Sequence, residues 1–356
     1  MSLRPLALLA LLSPLTACAQ DAPSPEPLAQ VAPEVPAWYA PPTTAKVWAQ
    51  ELHSPDGWTG TPTFSRDLRT VYYVRWDDPD YNDLSSIQEL FSARWDDAAG
   101  VWTSPERVEM TAGWRVDWPH VSPDGARLFL STNRPHAGHS SDTFRGRPVS
   151  DFDLWTVDLR PDGSLDSTTF QPLRGPDLNR QKTREVATIG YTHNETGPST
   201  DLDGRLYFWT ERLDDGGGRR DVYLAEPDGA GSYLEPVLLP FNTQRRESGV
   251  AADPRGQWLI VASEGLRGAG RSDLFLVVRE GDGWSQPVNL GPAVNTEHDE
   301  SSPDVTADGR TLFFTTDRPV EGVPIVDAGE GAGPASTMHW VDLTSLPAFQ
   351  RATSPE

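Results

Sequence analysis

The chain has 356 residues, 52 acidic against 30 basic, and a formal net charge of −22. That balance argues against nucleic acid and against an anionic membrane surface as partners, because both need a basic face. A hydrophobic share of 37% with 33 Pro, 30 Gly and 13 Trp suits many short strands with one wet face, and a single cysteine rules out an intramolecular disulfide or a cysteine-based metal site.

In chain order, Arg4 and the apolar run at residues 6–12 form an export signal too short to span a bilayer. Leu15-Thr-Ala-Cys18 resembles the bacterial lipobox. The resemblance implies cleavage before Cys18, lipidation of that cysteine, and removal of residues 1–17 as a lipoprotein signal peptide. Several acyl chains on one residue would anchor stably, and Ala19 fits the periplasmic side of the outer membrane if the cell is Gram-negative. Residues 18–43 then read as a lipidated cysteine followed by a proline-rich, semi-rigid tether.

From residue 44 to 349 the chain repeats one unit five times, at a period of about fifty residues, the mark of a solenoid or propeller. The cleanest copy runs Glu300-Ser-Ser-Pro-Asp-Val-Thr-Ala-Asp-Gly309 into the apolar strand 311–316. Others centre on Ser122-Pro-Asp-Gly125, Asp203-Gly204 and Asp253-Pro-Arg-Gly256, with a degraded copy at Phe64-Ser-Arg-Asp-Leu68. Each unit reads as four strands. The third strands recur at residues 86–94, 153–159, 221–225, 273–278 and 337–343. The fourth fall at 106–110, 170–173, 235–239 and 286–290. Three of the four outer strands carry a proline, which a sheet tolerates at an edge. The missing fifth outer strand is sought at residues 46–52, which would close the ring on the last unit. The expectation is therefore an all-β chain, a single β-propeller of five four-stranded blades closed by an N-terminal strand, with six blades as the alternative. Residues 350–356 are a short C-terminal tail.

The unit Ser-Pro-Asp-Gly-x-x-Leu-x-Phe followed by an Asp-Leu-aromatic strand is similar to the WD-like repeats of TolB-type propellers. The stretch Trp284–Pro303 resembles the repeats found in proteins with OmpA-like domains. The resemblance covers about residues 46–345 and identifies a repeat, not an activity.

Strand order places the connections at 133–149, 211–220, 317–336 and 174–190 on one elaborated face, where long loops are commonly functional. Nine residues before the turn glycines 204, 256 and 309 stand Glu195, Glu247 and Glu300, each followed by a hydroxyl residue. His193, Arg245 and His298 precede them by two. Asp117 lies near the same register beside Arg115, Trp114, Trp118 and His120. Three readings stay open at this point. One takes the glutamates as repeat scaffold, each accepting hydrogen bonds from the next blade. Another takes them as a carboxylate ring for a ligand or a divalent cation such as calcium, with His-x-Glu pairs suiting a transition metal instead. The third takes them as the acid and base of a glycan-cleaving or lyase-type propeller, although equivalent residues in symmetric repeats are poor candidates for opposite roles. His136 and His139 read as surface residues, and the carboxylates of residues 77–83 as a solvated loop tip.

The function expected is a lipid-anchored cell-envelope module that binds or scaffolds a protein or envelope glycan. The alternative is a propeller enzyme acting on glycans through channel-mouth carboxylates. The chain is expected to be a monomer without a resident cofactor, touching the membrane through its lipid alone.

Overall fold

The computed structural model describes residues 35–54, 58–76, 88–137, 143–144, 147–148, 152–180, 194–212, 220–321 and 336–353. Four of the five blades are built from consecutive antiparallel strands, beginning at Trp58–Phe64, Val116–Val121, Glu195–Thr200 and Glu247–Ala252. The fifth, beginning at Glu300–Val305, takes its outer strand from the start of the chain, where Lys46–Val47 pairs with Thr337–Asp342. The five first strands touch one another in ring order, so they are the innermost strands and the ring is closed at five blades. Of the proposed closing segment only Lys46–Val47 is strand, and Gln50–Leu52 turns into a short 3₁₀ helix.

The repeat signature is explained by the turn between the first two strands. In blade 2, Ser122 Oγ donates to Asp124 Oδ1 at 2.6 Å, that oxygen accepts the Ala126 N–H at 2.9 Å, and Gly125 takes φ 74°. Thr306, Asp308 and Gly309 repeat the arrangement in blade 5. The degraded copy keeps the backbone shape with Leu68 at φ 59°, at the strain a β-carbon brings there.

Each innermost strand carries a bulge at the same place. The ladder slips between Gly60 and Thr63, Asp117 and His120, Thr196 and Ser199, Glu247 and Val250, and Ser301 and Asp304. The residue at the bulge is left-handed in all five blades: Thr61, Trp118, Gly197, Gly249 and Ser302. Proline follows it in four of them. Such a bulge bends the strand and raises its twist. It also turns the next side chain across the seam. Thr63 Oγ1 accepts the Val121 N–H, His120 Nε2 accepts the Thr200 N–H, and Ser199 Oγ accepts the Ala252 N–H, each at 2.9 Å.

The core divides into five clusters, one per seam. The closing seam is the most aromatic, with Trp48 packed against Phe64, Trp102 and Phe313 at centroid separations of 5.1–5.5 Å. Trp38 and Tyr39, inside the segment assigned to the tether, join it. Trp38 donates to the Leu68 carbonyl at 3.2 Å, and Tyr39 donates to Asp308 at 2.9 Å. At the other end Pro347–Thr353 is helical, and Phe349 lies edge-on to Trp258. The signal segment, Cys18 and the tether before residue 35 fall outside the described residues, as do residues 77–83, His139 and His193. Among the described residues no helix is long and apolar enough to cross a membrane.

Candidate functional site at the channel mouth

Glu195, Glu247 and Glu300 each open an innermost strand and are fully buried. Glu247 accepts from Thr243 N–H and Oγ1 at 2.8 Å and from Ser263 Oγ at 2.7 Å. Glu300 accepts from Thr296 N–H at 3.0 Å, Thr296 Oγ1 at 2.8 Å and Arg318 Nη2 at 2.8 Å. Glu195 accepts from the Arg180 N–H, Thr210 Oγ1 and Arg212, all at 3.1–3.2 Å. Arg212 and Arg318 donate in turn to the carbonyls of Asp177 and Val294. The donors thus come from the loop entering the blade and from that blade's own second strand or the residues just after it, not from the next blade. Burial raises Glu195 and Glu300 above the ordinary carboxyl range, and the neighbouring arginines oppose it.

A residue that sequence reasoning passed over completes this joint. Asn179, Asn242 and Asn295 each pair with both backbone groups of the third strand of the preceding blade, as Asn242 does with Val222 at 2.7 and 2.9 Å. The recurring Asn-Thr-x-x-x-Glu at 242–247 and 295–300 was its available signal.

Blade 2 breaks the pattern. Its ladder pairs Val116 with Thr132 where blade 3 pairs Glu195 with Thr210, so valine stands where blades 3, 4 and 5 have glutamate and blade 1 has Thr59. Asp117 occupies the position of Thr196 and Ser301, and Trp118 the left-handed position held by glycine in blades 3 and 4. Trp118 packs on those bare backbones. A β-carbon at residue 249 would come within 2.9 Å of Trp118 Cζ3 and 3.0 Å of Pro303 Cδ. The half-buried indole thus reaches from blade 2 over blades 3 and 4. Two residues on, His120 reaches Asp304 of blade 5, Nδ1 to Oδ1 at 2.9 Å. Its Nε2 already accepts the Thr200 N–H, which puts the ring hydrogen on Nδ1 and leaves no lone pair to take a proton from Thr200. Despite its triad-like appearance, Asp304–His120–Thr200 is a cross-brace.

Asp117 itself is half-buried beside this indole. Its Oδ1 accepts from Gln88 Nε2 at 2.8 Å and from the Trp118 N–H at 3.0 Å, while its other oxygen has no hydrogen-bond partner among the described residues. Burial pushes its carboxyl up to about 6, with Arg115 and Arg220 pulling the other way. Arg220 lies 4.7 Å from the Trp209 ring and donates to Glu211 at 2.9 Å. Arg115 sits 5.4 Å from the rings of both Trp76 and Phe152. Trp114 stands 36% exposed nearby in sequence. His298 lies in the connection entering blade 5, 3.5 Å from Asp317. His136 is half-buried against Trp155 and 3.0 Å from the buried Asp153, unlike the free surface residue expected.

On the opposite face a cleft of about 750 Å³ opens between the turns of blades 3 and 4 and the C-terminal helix. Its Arg205 is already held by Asp201, Asp203 and Glu226. Among the described residues no group of three or more histidine, cysteine or acidic side chains is placed to hold a metal ion.

No family model matches the chain, and no curated protein matches its sequence. Solved structures similar to it include an α-L-arabinofuranosidase from Lactobacillus brevis, at 13% identity over 82% of this chain and 94% of that one, TM-score 0.46. Another is the α-L-arabinofuranosidase PaAbf62A from Podospora anserina, solved with cellotriose, at 11% identity over 85% and 94%, TM-score 0.47. A protein of unknown function from Dyadobacter fermentans matches at 12% identity over 84% and 98%, TM-score 0.47. Glycan-acting propeller enzymes are thus among the neighbours. Likeness this remote does not bear on what this chain does.

Proposed function

We propose that the protein recognises a glycan at the channel mouth, in the site formed by Asp117, Arg115 and Trp118. One observation carries this reading. Among five blades built to one plan, blade 2 alone sets an indole, Trp118, at the left-handed bulge position that Thr61, Gly197, Gly249 and Ser302 hold elsewhere, and a half-buried carboxyl, Asp117, just before it, where the others have Gly60, Thr196, Ser248 and Ser301. A departure from repeat symmetry at the axis, with strained backbone under a bulky indole, is where function is expected. An aromatic face beside a carboxyl with one unpartnered oxygen suits a sugar ring and its hydroxyls. Asp117→Asn should weaken binding of the full chain to arrayed envelope oligosaccharides at least tenfold while its unfolding temperature holds. Unchanged binding would remove Asp117 from the site.

A catalytic version of the same site is favoured by the raised Asp117 carboxyl, since a general acid is most useful with a value near working pH. Release of reducing ends, with one limb of the pH profile near 6 that Asp117→Asn abolishes, would establish it. Binding without such release would leave recognition alone.

We further propose export and lipid anchoring through Cys18, on the Leu15–Cys18 motif. Cys18→Ala should release the protein from membranes, and persistent attachment would refute the anchor.

A further inference from the structure

Among the charges at the mouth, Arg115 has a distinctive environment. Asp117 is bound by Gln88 and the Trp118 N–H, and Arg220 by Glu211. The Arg115 guanidinium, by contrast, makes no ion pair or hydrogen bond among the described residues, and its Nε is buried without a partner. It is held by aromatic rings instead, 5.4 Å from Trp76 at the end of a blade 1 strand and 5.4 Å from Phe152 just before a blade 2 strand. The backbone beneath it is pinned too. Asn133 Oδ1 accepts the Arg115 N–H at 2.8 Å, and the Asn133 N–H returns to the Arg115 carbonyl at 3.3 Å.

A guanidinium is a planar fork matched to a carboxylate, and one fixed by stacking has little freedom left to lose on binding. The lack of an ion pair among the described residues is more telling because acidic residues outnumber basic ones 52 to 30 in this chain. Elsewhere on it, arginines such as 69, 107, 160, 310 and 318 have found carboxylates.

We infer that Arg115 receives the carboxylate of an acidic sugar, so that the glycan recognised at the channel mouth is a uronate-containing one. This rests on the glycan reading above. A net charge of −22 repels a polyanion at long range, so selection for an acidic sugar must come from a short, local contact of this kind. Trp118, whose half-buried indole carries no charge, would then face the pyranose ring. The Arg115 pair would set which sugars are taken.

The test is a titration of the full chain with trimers of galacturonate, glucuronate and mannuronate, each beside its neutral trimer. At least one uronate trimer should bind ten times or more tighter than its neutral counterpart. Arg115→Gln should bring that ratio to within about twofold, and Arg115→Lys should recover part of it, because charge returns without the fork. A residue that only held the fold would weaken both members of a pair alike and leave the ratio unchanged, which would overturn the inference. Equal binding of acidic and neutral trimers by the wild-type chain would also overturn it and leave the glycan site standing. Failure of every trimer, acidic and neutral, to bind would overturn both.

Discussion

Glu195, Glu247 and Glu300 share a sequence position but not a set of partners, and the difference is measurable. Glu195 and Glu300 neutralise Arg212 and Arg318, whereas Glu247 is held by two hydroxyls and a backbone N–H. Glu195→Gln leaves Arg212, 2% exposed, without its counter-charge, a situation that costs about 3–5 kcal/mol. Glu247→Gln strands no charge and should cost about 1–3 kcal/mol. Urea unfolding of the two variants checks the order, and equal losses would mean that the arginine is not what makes the joint stable. The recurrence of these glutamates was plain in the sequence. Their partners were not, because Arg212 and Arg318 lie 17 and 18 residues away, on the far side of a turn and a strand.

At the level of the innermost strand, the bulge decides what each residue faces. It brings Trp118 onto Gly249, whose backbone, at φ 132°, is one that other residues rarely adopt. Gly249→Ala should therefore cost more than Gly229→Ala, where φ is 75° and nothing lies within 4 Å. The first combines strain with a collision of the kind that costs about 1–3 kcal/mol, the second strain alone. Adding Trp118→Ala to Gly249→Ala should recover the indole's share of the collision, Pro303 keeping the rest, and additive losses in that double-mutant cycle would show that the two do not meet. The alternation of strand residues predicted the blades well. That Asp117 aligns with Thr196 rather than Glu195 was legible too, since both stand eight residues before their turn glycines, 125 and 204. The indole's reach over Gly197 and Gly249 was not, because it depends on a left-handed backbone at Trp118 that the alternation does not show.

For the molecule as a whole, stability should be read at the closing seam, where His339 pairs in register with Val47 and His53 follows the closing turn. Burial lowers both histidines to about 4, with Arg318 also pressing His339 down. In the unfolded chain they would titrate near 6.5. The unfolded state thus binds more protons between those values, and stability falls as pH drops from about 6.5 toward 4. Each histidine could contribute up to about 3 kcal/mol to that loss. Glu195, Glu300 and Asp117, all raised by burial, act in the opposite sense. The folded value of Asp117, near 6, lies above an ordinary aspartate, so its contribution is favourable at low pH and is lost as pH rises through about 4 to 6. Urea unfolding at pH 7 and pH 5 should show that acidification costs His339→Gln about 2 kcal/mol less than it costs the wild type, and an equal change in both would place the acid sensitivity elsewhere.

The sequence by itself determined the five blades, their strand order, the turn chemistry at Ser122–Gly125 and Thr306–Gly309, and closure by the chain's own start. All of these follow from local periodicity and from residues within one turn of each other. Only the tertiary structure decided which recurring polar residues are buried pins and which face the channel mouth. That choice depends on pairings such as His120 with Asp304, 184 residues apart, and on a bulge in every innermost strand that turns side chains across the seam. Contacts of that kind are fixed by ring closure, which joins strands that no pattern along the chain places side by side.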